Sequence, residues 1–281
     1  MLTWIKNGLV IDPANGVTEV RDLWISDGRI ATEPDAQPDR VIDAAGCVVC
    51  PGFIDIHMHE DPVSDGRIQP NIFHTMLRMG VTTAVGGNCG LNVYDPVKYL
   101  DLVDRHGAPV NLALFAGHEF FRHAAGGTDR YAPLSDAQIE RLCRGIGAAL
   151  AGGCVGLSLG LRYVPGTDAR ELKAALDCCV PLGRQVSVHL RDDADQVFAA
   201  IDGWPSPAVN GSCACRSPTS VPWRALVRWR RRSGRSTATD PEGWTWPATA
   251  IPTLPFPRAS ARPPTTMAGW SATTAIMVRA A

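Results

Sequence analysis

Apolar residues fall along the chain in two alternating rhythms. Runs such as VNLALFAG (110–117) and QVSVHL (185–190) are apolar almost throughout, the pattern of strands covered on both faces. Between them lie segments such as SDAQIERLCRGIGAALAGG (135–153), whose apolar residues recur at helical spacing. The alternation predicts α/β organisation around a parallel sheet. Ahead of it, residues 3–48 carry shorter β-like pieces, WIKNGLVID, DLWISDGRIA and RVIDAAGCVVC, joined by turn signals at Asn15-Gly16 and Asp27-Gly28. These predict a small β-domain over residues 1–50, followed by an α/β segment over 51–202.

The rhythm stops near residue 203. Residues 203–281 hold six of the eight Trp, half of the 22 Pro, ten Arg, no Lys, no His and two acids, Asp240 and Glu242. Disordered tails are poor in Trp and do not exclude Lys while using Arg so heavily. We therefore read 203–281 as an out-of-frame, non-native tail, the translation of a GC-rich gene in a shifted frame.

The 281 residues are near the size of one (β/α)8 barrel, and the hydrophobic content of 45% is enough to bury a core. A net charge of -1 provides no field to attract nucleic acid or an anionic membrane, so a small-molecule partner is expected. Lys6, Asn7 and Asp12 interrupt the apolar residues of the amino terminus, unlike a secretory signal, and no window has the length of a membrane span. The nine cysteines are scattered, as for reduced thiols or a metal ligand, and a cytoplasmic protein is expected. Cys47 and Cys50 have C-x-x-C spacing, but no second pair stands nearby to complete a zinc ribbon.

Candidate chemistry concentrates at the ends of the apolar runs. PGFIDIHMH (51–59) predicts a strand ending in His57 and His59; positions two apart on a strand share a face, so both imidazoles are expected to point one way. At the C-terminal end of a barrel strand that face is the mouth, and neutral imidazoles there suit zinc. GVTTAVGGNCG (80–90) predicts a buried strand running into a glycine-rich turn with Cys89, free to approach a metal as a thiolate. QVSVHLRDDAD (185–195) ends a strand at His189, with Arg191 on the same face, placed for an anionic substrate group or an ion pair with an acidic neighbour. His118 in FAGHEF is a weaker candidate that lines or caps the pocket; His74, His106 and His123 are read as structural.

With these residues in place, residues 3–202 resemble the N-acyl-D-amino-acid deacylases (D-aminoacylases), a branch of the amidohydrolase superfamily. PGFID-H-x-H is shared by the whole superfamily, including dihydroorotases and hydantoinases, whereas GNCG (87–90), GHEFFR (117–122), GLSLGLRYVPG (156–166) and VHLRDD (188–193) resemble the deacylase branch. The resemblance implies a distorted (β/α)8 TIM-like barrel, present here in part, with strands at 53–59, 82–88, 110–117, 154–160 and 186–189. It implies that Cys89 stands where many relatives have a metal-bridging carbamylated lysine. His57 and His59 then match one metal site, and Cys89 with His189 a second, tighter one for Zn2+. Tyr163 falls where the family lines its acyl or side-chain pocket. The implied reaction is hydrolysis of the linear amide of a small N-acyl D-amino acid; a cyclic-amide hydrolase or a non-functional fragment are the alternatives.

The family also carries a later I-S-H ligand, a D-x-Y-P-Y-T-A segment and a late catalytic aspartate, and none is present in this sequence. The catalytic residue of this chain is accordingly unassigned, and inactivity is expected. With the frame moved back by one base, the codons across Arg216 to Thr219 permit Gln-Ile-Ser-His, and those across Thr249 to Pro255 permit Asp-x-Tyr-Pro-Tyr-Thr-Ala. Two landmarks in order and in one frame support the shifted-frame reading. Resequencing the DNA across codons 200–205 is expected to reveal a one-base gain or loss; an unaltered reading frame there would refute it.

Overall fold

The computed structural model describes residues 1–179, 182–192, 195–196, 199–200 and 275–279. They fall in two compact units, one including Met1–Ile54, His74–Thr83 and the strand Ala275–Arg279, the other Asp55–Phe73 and the described residues from Ala84 to 200.

The first unit is built on strands β1 (Leu2–Asp12), β2 (Val17–Ser26), β3 (Arg29–Ala31), β4 (Arg40–Asp43) and β5 (Cys47–Pro51). β1 pairs antiparallel with β2 and parallel with β4 and β5, and β3 continues from β2. Alternate residues of β1 turn inward, and an irregularity between Ile5 and Gly8, where Asn7 has φ 63°, switches the alternation. Ile5 before it and Val10 after it thus both meet Ala44 and Val49 in a small core, flanked by Val17, Leu23, Ile25 and Ile42. The β2–β3 connection has two residues, Asp27 (φ 48°) and Gly28 (φ 76°), between the paired Ser26 and Arg29. A two-residue hairpin whose central residues both have positive φ matches the strand twist, which explains the Asp-Gly signal.

Ala275–Arg279 adds antiparallel to β5, from Ala275 opposite Pro51 to Arg279 opposite Cys47. Sequence rhythm does not predict this strand, because an edge pairs through backbone groups and needs no periodicity in the partner. The rest of 203–281, with Asp240 and Glu242, lies outside the described residues.

The second sheet contains β6 (Phe53–Asp55), followed in the chain by a small hairpin of β7 (Val63–Ser64) and β8 (Arg67–Ile68), then β9 (Val81–Gly86), β10 (Asn111–Gly117), β11 (Gly156–Gly160) and β12 (Gln185–His189). Its order is β6-β9-β10-β11-β12, and β11 lies parallel to both β10 and β12. Helices α1 (Asn71–Arg78), α2 (Pro96–His106), α3 (His118–Ala124) with α4 (Asp136–Ala151), and α5 (Ala169–Asp177) provide the successive crossovers. Strand–helix alternation with consecutive strands adjacent is the arrangement of the first five strands of a (β/α)8 barrel. α4 starts at a capping box between Ser135 and Gln138 and buries Leu142, Ile146, Ala149 and Leu150, one helical stripe.

Two strands stop short of their expected ends. β6 ends at Asp55 rather than running to His59, because the Asp55 carboxylate accepts the His57 N–H at 3.0 Å and turns the chain out of the ladder. β9 ends at Gly86, and Asn88–Gly90 forms a tight turn. β6 and β12 are the outer strands among the described residues, and Phe53, Ile54 and Ile56 are 50%, 46% and 59% exposed. Such an apolar edge disfavours solubility.

The chain re-enters the fold after β6 through Asp61, fully buried, whose carboxylate accepts the Ile72 and Phe73 N–H groups at 2.7 and 2.9 Å and caps α1. Asp61→Ala would leave both donors unpaired and is expected to lower stability by about 1–2 kcal/mol, read from the urea midpoint. An unchanged midpoint would show that the cap contributes nothing.

Candidate metal centre

His57, His59, Cys89 and His189 are brought together at the C-terminal ends of β6, β9 and β12. Cys89 is the centre of the group, its Sγ lying 3.4 Å from His57 Nε2 and 3.5 Å from His189 Nδ1. One ligand atom from each of His57, His59 and Cys89 lies within 4.8 Å of the others. A tetrahedral zinc with bonds of about 2.0–2.3 Å has ligand–ligand edges of roughly 3.3–3.8 Å, so the cluster needs only small adjustments to close on an ion. The His57 and His59 rings are 6.0 Å apart and nearly perpendicular. Their convergence thus comes from the turn after Asp55 rather than from the pleat of a strand.

Cys89 reaches this place through an unusual backbone. Gly87, Cys89 and Gly90 have φ of 72°, 58° and 79°, so the turn runs through the left-handed region, which costs a non-glycine residue on the order of 1 kcal/mol or more. Ser158 of β11 braces it: its hydroxyl donates to the Gly87 carbonyl and accepts the Gly90 N–H at 3.0 Å. Asn92 closes the other side, donating to Glu60 at 2.9 Å and to the Phe115 carbonyl at 3.1 Å while accepting the Gly117 N–H at 2.7 Å. Gly160 supplies room, since a Cβ there would lie 2.0 Å from the Cys89 carbonyl oxygen.

The electrostatics suit a site that exchanges protons for metal. Burial lowers the pKa of His57, assisted by neighbouring His59, so its imidazole is neutral and able to ligate near pH 7. Burial raises the Cys89 thiol, which a metal would have to deprotonate. Burial also raises the Glu60 carboxyl, beside His59 in sequence.

Tyr163 Oη is 3.2 Å from His189 Nδ1 and the rings are 4.7 Å apart, so Tyr163 stands at the cluster. Among the described residues Arg191 enters no ion pair; its guanidinium donates to the carbonyls of Pro165, at 3.2 Å, and Thr167. His118 does not join the cluster. It is fully buried, with Nε2 2.8 Å from Glu171, which also accepts Arg122 Nε at 3.0 Å. His74, His106 and His123 are exposed on α1, α2 and α3, and Cys47 and Cys50 lie on β5. The sequence reading missed Ser158, Asn92, Arg122 and Glu171; a serine inside the apolar GLSLG was the one local signal.

No family model matches the chain. Among curated proteins it is 30% identical over 227 residues to the D-aminoacylase of Alcaligenes xylosoxydans xylosoxydans, aligning 70% of this chain and 46% of that protein. It is 30% identical over 225 residues to the N-acyl-D-glutamate deacylase of the same organism, aligning 70% and 45%. The crystal structure of the N-acyl-D-glutamate deacylase of Bordetella bronchiseptica, complexed with zinc and a phosphonate inhibitor, superposes with TM-score 0.65 at 30% identity, covering 75% of this chain and 50% of that one. The fold is therefore a partial TIM-like barrel of the amidohydrolase superfamily. Within that superfamily its homologues are D-aminoacylases and N-acyl-D-glutamate deacylases, and the chain spans about half the length of the curated relatives it matches.

Cys89→Ala is expected to weaken zinc binding on the order of a hundredfold and to abolish most of the roughly one proton released per zinc at neutral pH, while Cys47→Ala changes neither. Chelator competition and calorimetry in two buffers measure both. Undiminished affinity in Cys89→Ala would remove it from the ligand set.

Proposed function

We propose that the chain carries the metal-binding front part of a zinc-dependent hydrolase that cleaves the linear amide of N-acyl-D-amino acids into a carboxylate and a free D-amino acid. The observation that carries this reading is Cys89 at the end of β9, within 3.5 Å of both His57 and His189. A cyclic-amide hydrolase of the dihydroorotase type would want a carbamylatable lysine at a strand end. The chain has three lysines, Lys6 on β1, Lys98 on α2 and Lys173 on α5, none at the mouth. Cys89 with His189 forms the tighter site and His57 with His59 a weaker one. Their donor set, imidazole nitrogens around one thiol, fits zinc better than a hard cation.

Bound zinc supplies Lewis acidity, activating water and polarising a carbonyl. The protein's own residues orient the substrate. Tyr163, held against His189, lines the acyl or side-chain pocket, and Arg191, tied to the Tyr163 loop through the Pro165 and Thr167 carbonyls, meets the substrate carboxylate. The seven free cysteines among the described residues are consistent with a reducing, cytoplasmic setting. No helix among those residues is long and apolar enough to cross a membrane.

A general base is the missing part. Asp240 and Glu242 are the only acids after Gly203, and neither stands in a family motif, so we infer that the chain as written is an inactive fragment. The test compares three proteins for release of free amino acid from N-acyl-D- and N-acyl-L-amino acids with added zinc: the 281-residue chain, its frame-restored version, and the restored His57→Ala/His59→Ala double variant. The restored protein is expected to act on the D-substrate and the other two to stay at background. No D-amino acid from the restored protein would refute the deacylase reading; turnover by the 281-residue chain, lost on introducing the same double substitution, would refute its inactivity.

A further inference from the structure

Cys89 is flanked by a residue whose side chain touches every ligand-bearing segment. Asn88 is fully buried; its Nδ2 donates to the Val85 carbonyl at 2.9 Å and to the Ile56 carbonyl at 3.4 Å, and its Oδ1 accepts the Ser187 hydroxyl at 2.9 Å. Ile56 immediately precedes His57, Val85 belongs to the strand that leads to Cys89, and Ser187 lies two residues before His189 on the same face of β12. We infer that Asn88 is the positioning residue of the metal site: one carboxamide sets the spacing between His57, Cys89 and His189, with Ser187 holding it from β12. The inference rests on the metal reading above.

The chemistry of the group supports this role. A primary amide has two donor hydrogens and a separate acceptor, and here the donors face two carbonyls and the acceptor a hydroxyl. The reverse orientation would set oxygen against oxygen at both carbonyls, so the side chain has one satisfactory pose. Ser187 and Ser158 are register partners on β12 and β11, and both turn their hydroxyls to the Gly87–Gly90 turn. A hydroxyl in an apolar strand is costly to bury without a partner, and each finds its partner in that turn. Ser158 holds the backbone on either side of Cys89, and Ser187 holds Asn88. The turn is thereby tied to β12, so displacement of Asn88 would alter the Cys89–His189 distance directly.

The test uses the 281-residue chain with zinc and cobalt(II). Asn88→Asp keeps the shape but replaces the donor with a second acceptor, and Ser187→Ala removes a single hydroxyl. In chelator competition Asn88→Asp is expected to bind zinc about 10- to 100-fold more weakly, the range for residues that orient metal ligands, and Ser187→Ala to shift the same way by less. At saturating cobalt, both are expected to show a reduced or displaced thiolate-to-cobalt charge-transfer band, which a general loss of stability would not alter. Wild-type affinity and band in both variants, with Cys89→Ala losing the band, would overturn the role of Asn88 while leaving the metal site standing. If Asn88→Asp does not fold, Ser187→Ala alone decides by the same criteria. Absence of a thiolate band from the wild-type chain would overturn the metal reading and this inference with it.

Discussion

The structure of the mouth depends on seating the Gly87–Gly90 turn against the ends of β10 and β11. The approach is close enough to exclude side chains: a Cβ at Gly87 would come within 2.3 Å of the Phe115 carbonyl oxygen, one at Gly117 within 2.6 Å of the Gly90 carbonyl oxygen, and one at Gly160 within 2.0 Å of the Cys89 carbonyl oxygen. Glycines on both sides of the contact allow two backbones to meet where most residue pairs would hold them apart. Cys89 then accepts a left-handed conformation because the hydrogen bonds of Ser158 and Asn92 hold the residues around it.

The loops of the mouth are organised by buried charge. Arg122, 1% exposed, is paired with Glu171 and donates to the carbonyls of Gly127, Asp129 and Ala132. Burying an ion pair is expensive unless its hydrogen-bonding capacity is used, and here the guanidinium shapes the loop that follows α3. That loop meets the segment after β11 where the Gly166 N–H donates to the Arg130 carbonyl at 2.8 Å. Tyr163 lies in the latter segment, against His189. His118 therefore has a structural place: a histidine at a strand end, 2.8 Å from a buried glutamate that also pairs with an arginine, belongs to the loop scaffold.

By itself the sequence determined the strand–helix alternation, the Asp27-Gly28 hairpin and the placing of His57, His59, Cys89 and His189 at the ends of strands. These features follow from local physics: the periods of strand and helix, the φ that glycine permits, and the direction in which parallel strands end. Only the tertiary structure decided that Cys89 lies between two histidines, that His118 turns away to Glu171, that Arg191 binds carbonyls, and that Ala275–Arg279 adds to β5. Each of these rests on a partner brought close by chain topology, such as Ser187 reaching Asn88 across 99 positions, and no local spacing encodes such a partner. A hydrogen bond is made by whichever donor and acceptor the fold brings within about 3 Å, and that distance exists only after the strands have assembled.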